Sequence, residues 1–422
     1  MEQRRLRARC VIAGGGPGGM MLGIGLARAG VDVVVLEKHA DFLRDFRGDT
    51  VHPSTLDIID QLGIRDGFEA IRHHSVSGLD IVLDGTRLHP IDFASLRGPN
   101  REIALMPQWD LLNLLAEHGR TLPGFRLLMS TEAVALQRDD TGRTTGLVAR
   151  DDRGELRIDA DLTVLADGRD DRLRAEAGLT PREFGVPIDV LWFRLDLPAG
   201  EVPPDTLAYV TPRTMLVTIP RTGYYQCGLL IPKGAFDDVR AAGLGALRDR
   251  ITGAAPFLRG SAEAITEWSQ VKLLAVQIDR LECWWTPGLL AIGDAAHAMS
   301  PAFGVGINYA IQDAVAAANA LAAPLRDGSD LAPHLAALQR RRLPPVTHMQ
   351  ALQLRAHRLI AGRSAAILHT PPRWYERAML ALALPIARRA AARIVGRGFR
   401  PERLDDVPPT RSDQRSPATP ST

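Results

Sequence analysis

The stretch VIAGGGPGGMMLGIGLARAGVDVVVLEKH, Val11 to His39, constrains the fold more than any other part of this 422-residue chain. Cys10 to Ala13 reads as a short buried strand, Met20 to Ala29 carries helix-forming residues up to a stop at Gly30, and Val31 to Glu37 is a β-branched second strand. Between strand and helix, Gly14, Gly16 and Gly19 follow the G-x-G-x-x-G spacing, and Glu37 stands 18 residues past Gly19. The first glycine permits the tight turn, the second lets a pyrophosphate approach the backbone, and the third lets the helix pack against the sheet. The helix N-terminus offers N–H groups and partial positive charge to phosphates, and the Glu37 carboxylate accepts hydrogen bonds from a ribose. This is a βαβ dinucleotide-binding unit, and its spacing does not choose between FAD and NAD.

The chain exceeds the size at which a single core stops growing, so at least two lobes are expected. A hydrophobic content of 45%, a charged content of 24% and a net charge of +2 describe a globular protein with no nucleic-acid signature, whose partner is a small molecule. Cys10, Cys227 and Cys283 are scattered, which argues against a disulfide framework or a zinc site and for a reducing cytoplasm. The apolar run after the basic N-terminus breaks at once into glycines, too short for a signal peptide, and no stretch is long enough to span a membrane.

A second stretch selects the nucleotide. In GLLAIGDAAHAMSPAFGVGINYAIQDAVAAANALA, Gly288 to Ala322, a strand ends in Gly293 and Asp294, a loop follows through Pro301, and a helix begins near Gly304 to Gly306. This resembles the G-D-A-A-H, Pro, G-x-G-x-N signature of FAD-dependent monooxygenases of the para-hydroxybenzoate hydroxylase type. Three more segments resemble the same family in the same order. They are RGDTVHPSTLDIIDQLGI (Arg47 to Ile64), MPQWDLLNLLAEHG (Met106 to Gly119) and LTVLADGRDDRLRAEAGL (Leu162 to Leu179). The last departs from the family pattern, placing Arg169, Asp170 and Asp171 where a small hydroxyl residue commonly follows.

The resemblance implies FAD contacts at Gly14, Gly16, Pro17, Gly19, Glu37, Lys38, Arg47, Gln108, Asp167, Asp294, Gly304, Gly306 and Asn308. Asp294 would bond the ribityl chain, and the glycine-opened helix would face the pyrimidine edge of the flavin, where reduced flavin carries negative charge. Pro301 and Arg47 are the residues it implies nearest the chemistry, Pro301 as a dry backbone wall where oxygen binds. His297 and His52 are read as structural. The resemblance further implies NAD(P)H as a transient reductant and O2 as co-substrate, with oxygen delivered by way of a flavin C4a-hydroperoxide to an electron-rich ring or alkene. Within the family scaffold the alternatives are a reductase of isoprenoid chains or a halogenase, although the W-x-W-x-I-P signature of halogenases is absent. A non-catalytic FAD-binding protein is the third.

The expected fold is α/β: a Rossmann-like FAD-binding domain built from residues 1–75, 101–180 and 285–345, with an inserted, mostly antiparallel substrate sheet from 76–100 and 181–284. Trp192, Tyr209, Met215 and Tyr224 are the candidate pocket residues in that sheet. Residues 346–403 are expected as C-terminal helices capping the FAD lobe, with a lid over a greasy substrate or a peripheral membrane contact as the other reading. Residues 404–422 are expected as a disordered tail, with no room for the thioredoxin-like domain of longer phenol hydroxylases. Monomer and homodimer are both open.

Overall fold

In the computed structural model, residues 4–43, 50–83, 85–169, 172–197, 206–212, 214–221, 223–361 and 374–406 are described. Two sheets organise them. The larger has a parallel core in the order Leu289–Ala291, Gly154–Leu165, Arg4–Ala13, Val33–Leu36, Phe125–Leu128. The hairpin strands Glu132–Arg138 and Thr144–Asp151 extend it antiparallel from Gly154–Leu165. Its strands read as unbroken apolar runs, as both faces are covered: Val33 to Val35 are wholly buried.

One covering element is the helix Pro17–Arg28, expected from Met20 and found to start at the proline. Proline at the first helical position suits its fixed φ and missing N–H. Met20, Leu22, Ile24 and Leu26 are wholly buried, worth about 1.5–3 kcal/mol each. Gly18 and Gly25 let this helix touch Gly306–Asp327: a Cβ on Gly25 would lie 2.7 Å from the Ala318 Cβ.

The second sheet runs Lys272–Leu274, Ile188–Asp196, Tyr224–Pro232, Thr214–Arg221, Thr206–Thr211, Gly78–Leu83, Thr86–Asp92, antiparallel except where Thr206–Thr211 meets Gly78–Leu83. It is therefore mostly antiparallel, as expected. Leu191, Phe193, Leu216, Tyr225 and Leu229 form one face, packed with Leu247 and Ile251 of the helix Phe236–Ala254. Val190, Trp192, Val217 and Ile219 lie on the other, which meets the nucleotide lobe and the last helix through Phe303, Leu354, Ala391 and Ala392.

Two expectations about the C-terminal region are corrected. The helix expected only after Pro344 starts at Ala332 and runs to Ala361 through Pro344 and Pro345. A helix-interior proline costs about 3 kcal/mol; burial of Leu335, Leu338, Val346 and Met349 on both sides offsets it. The final helix, Trp374–Arg397, carries Ala392 and Val395 into the core between the lobes. The chain beyond is not loose from Leu404, because that side chain is 8% exposed and its N–H and C=O bond Gln61 at 3.0 and 3.2 Å. The rest of the expected tail, 407–422, lies outside the described residues.

Candidate active site

Strand register brings the sequence motifs together. Ala13 is level with Leu36 and Leu165, and Leu165 with Ala291, so the glycine loop, Glu37, Asp167 and Asp294 all leave the sheet at one edge. That edge is the carboxyl end of a parallel sheet at the point where strand order reverses, the place such sheets bind ligands. The Gly14 turn is closed by its own N–H to Leu36 C=O at 2.9 Å, and by Ala166 N–H to Ala13 C=O at 2.8 Å.

The glycines divide by function. Gly14 has φ +108, and a Cβ there would lie 2.3 Å from the Ala166 oxygen. A Cβ on Gly19 would lie 2.0 Å from the Gly14 oxygen. Gly16 differs: the nearest atom to its Cβ would be 3.9 Å away, and the helix it opens has no side-chain cap. The space above Gly16 and the uncapped amides beneath it fit a pyrophosphate. Gly306, opening Gly306–Asp327, likewise has nothing within 4 Å of a Cβ, and that helix also lacks a side-chain cap. These two open helix starts, with the Glu37 and Asp294 carboxylates, fit the two ends of an FAD molecule.

The expected residues that fall among the described ones have definite places. Glu37 is half-buried, its Oε1 accepting from His39 N–H at 3.0 Å, while Lys38 is exposed on the rim. Pro17 and Gln108 each stand at the start of a helix, Gln108 half-buried after Pro107. Asp294 is 35% exposed and 3.3 Å from the Arg169 Nε, a pairing not foreseen; the Arg169 Nη2 also reaches Met299 C=O at 3.2 Å. Gly304 has φ +61, and a Cβ there would sit 2.3 Å from the Thr50 Oγ1. Asn308 is engaged with protein at both ends of its amide. Its Oδ1 accepts from His52 N–H at 2.9 Å and Thr55 Oγ1 at 2.7 Å, and its Nδ2 donates to Thr50 and Gly304 carbonyls, each at 3.2 Å. Pro301 is half-buried at the head of the turn Ala302–Gly304. Arg47, with Asp170 and Asp171, lies outside the described residues.

Of the pocket candidates, Trp192 and Met215 belong to the face turned to the nucleotide lobe, with the Trp192 indole Nε1 buried and without a hydrogen-bond partner among the described residues. Tyr224 is on that face at its far end, under the Arg194 guanidinium 4.0 Å from its ring centre. Tyr209 is corrected: it points to the helix-covered face, 5.5 Å from the Phe257 ring, as part of the core. Val217, Ile219 and Phe303 were not singled out from sequence, and they complete the apolar surface around Trp192.

The two histidines are buried. The His297 Nε2 lies 2.5 Å from the Asp313 Oδ2, whose Oδ1 accepts from the Arg342 Nε at 2.8 Å. Burial pushes the Asp313 carboxyl up, but His297 and Arg342 outweigh it and hold it below the usual range. The Asp313 Oδ2 also accepts from Gly293 N–H at 3.2 Å, which fixes the turn in front of Asp294. Burial lowers the His52 imidazole to about 4, against the opposing pull of the Val395 and Gly304 carbonyls. Among the described residues no helix is long and apolar enough to cross a membrane.

The model of the FAD binding domain family matches residues 7–350. The chain is 30% identical over 389 residues to the 6-methylpretetramide 4-monooxygenase of Streptomyces rimosus, covering 91% of each. It is 25% identical to the 3-hydroxybenzoate 6-hydroxylase of Klebsiella oxytoca, over 74% of this chain and 80% of that one. Against other relatives it is the shorter, spanning 62% of an uncharacterized aromatic compound monooxygenase of Bacillus subtilis (strain 168). The p-nitrophenol 4-monooxygenase PnpA of Pseudomonas putida DLL-E4 has the same fold, with a TM-score of 0.72 at 20% identity over 94% of this chain and all of that one. With the family model spanning most of the chain and a relative aligned nearly end to end, the chain belongs to the FAD-binding monooxygenases of the para-hydroxybenzoate hydroxylase-like group.

Proposed function

We propose that this protein uses NAD(P)H and O2 to place one oxygen atom on an apolar, aromatic small molecule held between the flavin and the second sheet. The observation that carries this is the meeting of two surfaces. The loop after Asp294 presents Phe303 to the sheet face that bears Trp192, Val217 and Ile219. Bound FAD supplies the redox and oxygen chemistry. The protein binds, orients and keeps water out.

The uncapped N–H groups of Gly18 and Gly19, at the start of Pro17–Arg28, take the pyrophosphate, and Glu37 takes ribose hydroxyls. Asp294, steadied by Arg169, takes hydroxyls of the ribityl chain. The start of Gly306–Asp327 directs its positive end at the ring edge where negative charge grows on reduction. Phe303, Trp192 and Val217 make a dry wall, and the Trp192 indole N–H is a single donor able to orient a carbonyl or phenol oxygen. The S. rimosus relative is named for 6-methylpretetramide, which makes that compound and simple phenols the first substrates to try.

The test is turnover of FAD-loaded protein with NAD(P)H and isotopically labelled dioxygen across such a panel. One labelled oxygen atom in a product supports the proposal. Labelled peroxide as the sole oxygen product across the panel, or NAD(P)H oxidation that needs no oxygen, counts against it.

A further inference from the structure

The loop Ser300 to Gly304 does not hold its shape unaided. Phe303 sits at φ +67 and ψ 0, a left-handed conformation that costs a non-glycine residue about 1–2 kcal/mol. Such a conformation persists only where its surroundings over-determine it. Part of that constraint comes from Thr50, whose Oγ1 donates to Gly304 C=O at 2.7 Å. The rest comes from a helix far along the chain, Ala332–Ala361.

Three side chains on one face of that helix, Gln350, Gln353 and His357, are 1%, 0% and 1% exposed. The Gln353 Oε1 accepts from Ser300 N–H at 3.2 Å, while its Nε2 donates to the Ser300 and Ala302 carbonyls, each at 3.0 Å. The His357 Nε2 shares a 2.9 Å hydrogen bond with the Ser300 Oγ, which accepts from Ala302 N–H at 3.0 Å. The Gln350 Nε2 donates to Ala298 C=O at 3.0 Å and Asp279 C=O at 2.7 Å. Both functions of the Gln353 amide are used, so a carboxylate or an alkyl chain of equal length cannot replace it. Together with Arg169 on Met299 C=O and Asn308 on Gly304 C=O, these bonds turn the loop's carbonyls toward protein. The next residue on the helix, Leu354, packs beside Trp192 on the substrate-facing sheet.

We propose that Gln353 and His357 are positioning residues for the oxygen-transfer step, setting how far the Pro301 loop stands from the flavin and tying that distance to the pocket wall through Leu354. The inference rests on the reading above in which this loop fronts the flavin. Loosening the clamp leaves in place the glycine loop and Glu37, which hold the adenosine end of FAD, while admitting water and misplacing the substrate. Reducing equivalents then appear as hydrogen peroxide rather than as product.

The variants are Gln353→Leu, Gln353→Glu, His357→Phe and His357→Gln, with Ser300→Ala as the mildest break should the larger changes not fold. Each is measured for FAD affinity, the visible spectrum of the bound flavin, melting temperature, NAD(P)H oxidation, and product and peroxide formed per NAD(P)H. Expected for Gln353→Leu and His357→Phe are FAD affinity within about threefold of wild type, an altered flavin spectrum, and product per NAD(P)H down about tenfold with peroxide making up the difference. His357→Gln, whose amide can still reach the Ser300 Oγ, recovers most of the product yield. The proposal is overturned if coupling and spectrum are unchanged, or if product falls only in step with melting temperature and bound FAD. Wild-type protein that takes up no FAD would overturn the underlying site assignment as well, a failure distinct from that of the clamp.

Discussion

Replacing Gly16 with alanine separates what the glycine loop does for the fold from what it does for the ligand. Gly16 has φ −71 and ψ 179, a conformation alanine adopts freely, and the nearest protein atom to its new methyl would be 3.9 Å away. The apo protein therefore gains about 0.4–1 kcal/mol from lost freedom of the unfolded chain. The methyl instead fills the space through which a pyrophosphate reaches the first amides of Pro17–Arg28. Losing one charge-assisted hydrogen bond there costs about 1.5–3 kcal/mol, a weakening of FAD binding by roughly tenfold to more than a hundredfold. Thermal melting of the apo protein and titration with FAD, followed by quenching of flavin fluorescence, read the two effects independently. Gly19→Ala is the opposite control, since its methyl would fall 2.0 Å from the Gly14 oxygen and lower the melting temperature directly. A Gly16→Ala protein that binds FAD as tightly as wild type would refute the assignment of this loop to the pyrophosphate.

Two further outcomes follow from buried groups. Asp313→Ala removes the carboxylate shared by His297 and Arg342, leaving Arg342 only Glu402 at 3.4 Å and the Arg400 carbonyl, and should destabilise the fold by about 3 kcal/mol in urea denaturation, with weaker FAD binding because the Gly293 turn loses its anchor. The His52 imidazole is depressed in the fold to about 4 from an ordinary 6.5. Its contribution to stability is therefore complete above the unfolded value and is lost as pH falls through the folded one. Between pH 7 and 4 wild type should lose about 3 kcal/mol more than His52→Asn in denaturation series, and equal losses would contradict the burial of a neutral ring.

How much of this was legible from residues alone depended on whether a feature was local. The spacing from Gly14 to Glu37 and the run from Gly288 to Ala322 each encode strand, turn and helix in one continuous stretch, so backbone sterics and apolar periodicity suffice to read them. The strands of the second sheet were equally readable, as short apolar segments separated by Pro and Gly turns. Which face of a strand meets the ligand was not, because both faces are buried: Tyr209 lies under the helix Phe236–Ala254, whose role as a cover has no local signature. The loop clamp escaped for a related reason. Gln350, Gln353 and His357 stand at the spacing of one helical face, a signal that polar residues share that face, but nothing in the sequence names the distant carbonyls they bond. Leu404 looked like the start of a tail because its composition is polar, and a single buried leucine with two hydrogen bonds to Gln61 outweighs that composition.

The most direct test of where the flavin lies is titration of FAD into the Glu37→Ala/Asp294→Ala double variant beside wild type, with apo melting temperature as the check on folding. Both carboxylates are partly exposed at the sheet edge, so the fold should persist while two sets of hydrogen bonds to the nucleotide are lost, and affinity should fall by about a hundredfold or more. Undiminished FAD affinity in a folded double variant would mean that the cofactor does not bind between these two strand ends.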